Sequence, residues 1–121
     1  MAKILIVDDE EGIRMLYSME LEDEGYDVIT LPDGKDLVEV VDREKPDCVI
    51  LDIKMKEFDG LELLQELRKK YYDLPVILNS AYSGFKVDIK SVAADYYVVK
   101  SSDLSELKEK LKIALEAHLP A

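Results

Sequence analysis

Three carboxylates, a hydroxyl and an ammonium stand where the short apolar runs of this sequence stop. Asp8 and Asp9 follow Ile4-Leu5-Ile6-Val7, Asp52 follows Cys48-Val49-Ile50-Leu51, Asn79 and Ser80 follow Val76-Ile77-Leu78, and Lys100 follows Tyr96-Tyr97-Val98-Val99. Three carboxylates brought close would repel and raise one another's pKa unless a cation joined them. A hard-oxygen set this small suits Mg²⁺ completed by water and substrate oxygens, with Mn²⁺ as a substitute. Such an ion can bridge a carboxylate and an incoming phosphoryl group, leaving Lys100 and Ser80 to neutralise or hydrogen-bond the other phosphoryl oxygens. Asp52 then becomes a nucleophile that forms an aspartyl phosphate. Singly, each residue has a plainer reading: Asp8 or Asp9 as a helix cap, Asp52 as a loop acid, Lys100 as a solvated strand end. Their joint placement at the ends of four apolar runs favours the chemistry.

Whether those ends share a rim depends on the elements between them. The runs Ile4–Val7, Val28–Thr30, Cys48–Leu51, Val76–Leu78 and Tyr96–Val99 alternate with helical patterns over 11–24, 34–44, 59–70 and 103–117. Runs apolar on both faces, each followed by about a dozen helical residues, imply a parallel sheet covered by helices on both sides. In such a sheet ligands bind beyond the carboxyl ends of the strands, where strand order reverses. Local signals mark the boundaries: Gly25 fits a helix C′ position, Pro46 a stop, and Asp59 and Asp103 N-caps, the latter with Glu106 three residues on. Leu104, Leu107, Leu111 and Leu115 form one stripe of the last helix. The first helix is less tidy, because an arc of Ile13, Leu16, Tyr17 and Leu21 has Glu20 near its centre. GFKVDIKSV at 84–92 fits a strand period and a helical face equally. A crossover between parallel strands is needed there, so the reading is a fourth helix, short or irregular because it carries β-branched Val87, Ile89 and Val92.

At 121 residues and 48% hydrophobic, the chain is the size of one domain, spanning 1–121. A net charge of −11 without a basic stripe argues against binding nucleic acid or an anionic membrane surface. The N-terminal apolar run is too short for a signal peptide and nothing is long enough to span a membrane, so the chain reads as cytoplasmic. Cys48, the single cysteine, lies in an apolar run and reads as a buried, inert thiol. His118, the single histidine, ends the last helix, where neither a phosphohistidine nor a triad role fits.

ILIVDDE, VILDIKM, the DG at 59–60, NSA and YYVVK, in this order and spacing, resemble the receiver domain of two-component response regulators over essentially the whole chain. GIR at 12–14, EGY at 24–26, Lys54 and Ala81-Tyr82 bring it near the single-domain regulators of sporulation phosphorelays. The resemblance implies an α/β fold with a five-stranded parallel sheet of order 2-1-3-4-5, doubly wound with five helices. It implies Asp52 as phosphoacceptor, Asp9 as a direct Mg²⁺ ligand, Asp8 as its partner through water, and the backbone carbonyl of Lys54 facing the metal. Ser80, Tyr97 and Lys100 match the hydroxyl, aromatic and lysine that report phosphorylation through a surface of the fourth helix, fifth strand and fifth helix. Lys54 and Tyr82 stand where relatives modulate the hydrolytic water, and their bulk implies slow dephosphorylation. Ile13, Arg14 and the loop around Ser101 are the implied docking residues. The implied donor is a histidine kinase or a histidine phosphotransfer protein, and the implied role is that of a regulator that catalyses only its own phosphorylation and dephosphorylation. With no output domain after residue 121, the chain is either a stand-alone relay regulator or a receiver cut from a longer protein whose downstream partner is unknown.

The chain departs from the family's pattern at Lys56 and Ser101, where proline is usual. A cis bond before a non-proline residue costs about 2.5–4 kcal/mol, so Lys100–Ser101 is expected to be trans and its loop re-routed. The span from Ser80 to Lys100 is also shorter than usual. A haloacid-dehalogenase-like phosphatase would want a second Asp two residues after the nucleophile, where Lys54 stands. An FMN binder would want a hydroxyl- or glycine-rich phosphate loop where Asp8-Asp9-Glu10-Glu11 would repel phosphate. A receiver that signals through protein contacts without phosphate is the stronger rival, and the complete acidic set weighs against it.

Overall fold

Each central strand is apolar on both faces because each is covered on both. The computed structural model describes residues 2–81 and 94–118. Its strands are β1 (Lys3–Val7), β2 (Asp27–Leu31), β3 (Cys48–Asp52), β4 (Val76–Ser80) and β5 (Tyr96–Val99). All neighbours pair in parallel, in the order β2-β1-β3-β4-β5, as expected. Strand order reverses between β1 and β3, where Val7 lies opposite Leu51. The residues that follow, Asp8 and Asp52, therefore emerge side by side.

The helices are α1 (Glu11–Asp23), α2 (Leu37–Glu44), α3 (Gly60–Lys70) and α4 (Ser105–His118), the last being the expected fifth. The expected fourth helix, with GFKVDIKSV and Tyr82, lies outside the described residues. Strand alternation divides the core in two. Ile4, Ile6, Cys48, Ile50, Ile77 and Val98 pack with Tyr17 and Leu21 of α1 and the leucine stripe of 104–115. Leu5, Val7, Val49, Leu51, Val76 and Leu78 pack with Leu37, Val40 and Val41 of α2 and Leu64 and Leu67 of α3.

Two boundaries behave as the capping rules require. Gly25, at φ 96°, closes α1: its amide donates to the Glu22 carbonyl and the Tyr26 amide to the Leu21 carbonyl. Asp59 caps α3 by accepting from the Leu61 amide. Asp103 accepts from both the amide and the hydroxyl of Ser105.

Two expectations need correction. α2 starts at Leu37, not 34, because Gly34 is buried against Leu63, where a Cβ would stand 2.2 Å from Leu63 Cδ1, and the chain turns there before it coils. Leu16 is not part of the core arc of α1. The buried stripe runs Ile13, Tyr17, Leu21, which turns Leu16 outward and leaves Glu20 at the flank, 3.6 Å from Lys108 of α4. Lys108 also meets Glu24 at 3.4 Å, so the two helices are joined at their edge by a charged fork. Cys48 is fully buried, and burial pushes its thiol well above the usual range, which makes it inert as expected.

Tyr17 carries a polar tip into the apolar layer. Its hydroxyl donates to Asn79 Oδ1 at 2.8 Å, and Asn79 Nδ2 donates to the Val98 carbonyl at 2.9 Å, linking α1, β4 and β5. Replacing Tyr17 by Phe removes the donor to Asn79 Oδ1 in a buried layer, and urea unfolding should register a loss of about 1–2 kcal/mol. A loss below about 0.3 kcal/mol would show that this link contributes nothing to stability.

Candidate functional site

Ile6, Ile50, Ile77 and Val98 all face the layer beneath α1 and α4. Two residues further along their strands come Asp8, Asp52, Asn79 and Lys100, so the pleat aims all four to the same side of the sheet's carboxyl edge. Their charges meet there. Lys100 Nζ lies 2.8 Å from Asp8 Oδ2, 3.4 Å from Asp52 Oδ2 and 4.0 Å from Glu10 Oε1. Asp8 is 2% exposed and Asp52 4%.

The loops on either side hold this cluster by their backbone. Asp8 Oδ1 accepts from the Glu10 amide at 2.9 Å, and its carbonyl accepts from Arg14 Nη1 at 2.8 Å. Asp9, half-buried, accepts at Oδ2 from the Lys56 amide at 3.0 Å. After Asp52 the chain makes a tight turn: the Met55 amide donates to the Phe58 carbonyl and the Gly60 amide to the Ile53 carbonyl, which pairs the backbones of Lys54 and Asp59 as an isolated antiparallel β-bridge. A Cβ on Gly60 would stand 2.1 Å from the Asp52 carbonyl oxygen, so only glycine lets α3 begin this close to the strand end.

One oxygen from each of Asp8, Asp9 and Asp52 can be chosen so that all lie within 4.8 Å of one another. Three hard oxygens at the rim of a closed apolar layer fit a small divalent cation that keeps several waters. Burial pushes the Asp52 carboxyl up to about 6; the neighbouring Asp8 charge adds to the rise and Lys100 opposes it. Burial alone would lower the Lys100 ammonium, but its hydrogen bond to Asp8 and the charges of Asp8 and Asp52 outweigh that and raise it. Lys100 is therefore the resident counter-charge.

The other expected site residues are spread around this centre. Ser80 is buried at the end of β4, and its carbonyl accepts from the Lys100 amide at 2.6 Å. Tyr97 is half-buried against the layer beneath α2 and α3, on the opposite side of the sheet from the carboxylates. Ile13 packs against the core, Arg14 braces the Asp8 carbonyl, and Ser101 is exposed, its Oγ accepting from the Asp103 amide. Lys54 is exposed on the turn. No cis peptide occurs among the described residues, so Lys100–Ser101 is trans as expected, and Lys100 reaches both carboxylates from that geometry. Sequence reading missed the Tyr17–Asn79 link and the Lys56 amide. Strand parity could have put Asn79 beneath α1, whereas a backbone donor leaves no mark in residue type.

The profile described as response regulator receiver domain matches residues 4–112. The chain belongs to the response regulator receiver domain family. Among solved structures, this receiver is 47% identical to response regulator TrrA of Thermotoga maritima in complex with Mg²⁺-BeF, covering 95% of this chain and 100% of that one at a TM-score of 0.88. The complex of histidine kinase ThkA with TrrA matches at 47% identity, over 95% of this chain and 99% of that chain, with a TM-score of 0.86. Chemotaxis protein CheY4 of Vibrio cholerae is 29% identical over 95% and 99% of the two chains, TM-score 0.86. Among the described residues no helix is long and apolar enough to cross a membrane.

A folded-state carboxyl raised above its unfolded value contributes stability that is complete below the unfolded pKa and lost as pH rises through the folded one. For Asp52 that window runs from the ordinary value of about 4 to about 6. In EDTA, Asp52→Asn should therefore melt higher than wild type at pH 7.5, the gap closing as pH falls to about 4. Equal melting temperatures at pH 7.5 would mean that ionised Asp52 is not under electrostatic strain.

Proposed function

We propose that this receiver accepts a phosphoryl group on Asp52 from a phosphohistidine donor, in a reaction that depends on Mg²⁺. The observation that carries the reading is the Lys100 ammonium held between Asp8 and Asp52 with Asp9 close by. TrrA, which binds Mg²⁺-BeF and forms a complex with histidine kinase ThkA, supports both the ion and the kinase as partners here.

Asp8, Asp9, Asp52 and the Lys54 carbonyl would hold the ion, with Mn²⁺ as a substitute. When bound, Mg²⁺ supplies charge neutralisation for the phosphoryl oxygens. An Asp52 carboxylate oxygen attacks phosphorus in line with the leaving imidazole; the P–N bond breaks as the P–O bond forms, and the imidazole departs with its proton. Burial favours this step by raising the basicity of the Asp52 oxygen while leaving it ionised above about pH 6. Lys100 swings its ammonium from the carboxylates to the new phosphoryl oxygens, and Ser80 donates its hydroxyl to another. The moved β4 and β5 ends, with Tyr97 turning inward, carry the change to a downstream protein. The domain's only chemistry is on itself, in gaining and losing this group.

Incubation with acetyl phosphate and Mg²⁺ should add the mass of one phosphoryl group, and neither EDTA-treated wild type nor Asp52→Asn should gain it. An unchanged mass, or a gain that survives Asp52→Asn, would leave a phosphate-independent interaction module as the function. Lys54, exposed beside the acceptor, screens the acyl phosphate from water, so Lys54→Ala should shorten its half-life about two- to fivefold by acid-gel or mass decay. Unchanged decay would remove Lys54 from that role. The companion position, Tyr82, lies outside the described residues.

A further inference from the structure

Asp8 and Asp52 share Lys100, and Asp8 also holds the Glu10 amide. Asp9 is held differently. Its Oδ2 accepts from the main-chain amide of Lys56 at 3.0 Å, across 47 positions of sequence. That bond joins the loop after β1, which carries two of the acids, to the turn after β3, which follows the third. The turn is itself closed by the Met55–Phe58 and Gly60–Ile53 backbone bonds, which pair Lys54 with Asp59 as an isolated antiparallel β-bridge, so the Lys56 amide has a fixed direction. Every residue type except proline supplies an amide proton there. This is one of the two positions where the sequence lacks the proline usual in its family, and here that absence creates the donor.

We propose that Lys56 is a positioning residue whose main-chain N–H clamps Asp9, presenting its other carboxylate oxygen to a divalent cation and joining both ligand-bearing loops before the ion arrives. The inference rests on the reading of the acidic cluster as a Mg²⁺ site. A carboxylate oxygen that accepts one hydrogen bond leaves the second oxygen its full lone-pair capacity. Fixing the carboxylate in advance places its ordering cost on folding instead of on ion binding, which is how outer partners raise metal affinity. The bond is to a charged acceptor but is solvent-exposed, so its effect belongs at the low end of the range for such bonds.

The test is Mg²⁺ titration of the whole chain by isothermal calorimetry, comparing wild type, Lys56→Ala and Lys56→Pro. The alanine variant keeps the amide and loses only the ammonium, so its Kd should stay within about twofold of wild type, while proline should weaken binding about three- to tenfold. Equal Kd values for the two variants would overturn the proposal. Hydrogen exchange of the Lys56 amide in the metal-free protein gives a reading that does not depend on the proline variant folding. That amide should exchange at least about tenfold faster in Asp9→Ala than in wild type, and equal rates would overturn the clamp. Wild type that binds no Mg²⁺ would instead overturn the metal reading, a result distinct from binding that proline leaves intact.

Discussion

Two carboxylates buried side by side cannot both stay ionised without a positive charge between them. In this receiver Lys100 supplies it, and the architecture follows from the need to hold that ammonium at the edge of an apolar sheet. Its backbone leaves β5 in register with the end of β4, and its side chain crosses to β3 and β1. The crossing works only if four strands end level, with the same pleat phase. The leucine stripe of α4, packed beneath those strands, holds β5 at the depth that lets Lys100 reach.

Around this charge the structure is braced by groups with no chemistry of their own. Arg14 ties α1 to the Asp8 carbonyl, Tyr17 ties α1 to Asn79, and Gly60 lets α3 begin against the Asp52 carbonyl. Each brace ties a strand end at the cluster to a helix. The cluster keeps an excess of negative charge even so, since one ammonium faces two buried carboxylates with Asp9 nearby; burial first and the Asp8 charge second raise the Asp52 carboxyl to about 6 against the pull of Lys100. A divalent cation would relieve that excess of negative charge and offset the further charge a phosphoryl group brings, which ties the site's instability to its proposed use.

Much of this was legible from residue order. The five strands and their parallel sheet followed from both-face apolar runs, and the acids stood out because they ended those runs. Where local pattern and packing disagreed, packing won: Leu16 has the right spacing for the core of α1 but lost its place to the stripe of Ile13, Tyr17 and Leu21, which put Glu20 beside Lys108. The start of α2 moved for a similar reason, as Gly34 is held against Leu63 before the helix begins. Asn79 read as a strand-end amide near the site, yet its side chain serves the interior.

Residue types alone determined the fold class, the set of charged groups and the class of chemistry they could share, because periodicity and strand-end placement are properties of the chain read in order. Distances decided the rest. That Lys100 sits between Asp8 and Asp52 without a proline after it, that Tyr17 and Asn79 pair in the core, and that the Lys56 amide reaches Asp9 depend on contacts spanning tens of positions. Such contacts are set by strand register and loop closure, which no local spacing encodes. A main-chain donor, common to every residue but proline, acquires a specific role only when the fold brings a partner to it.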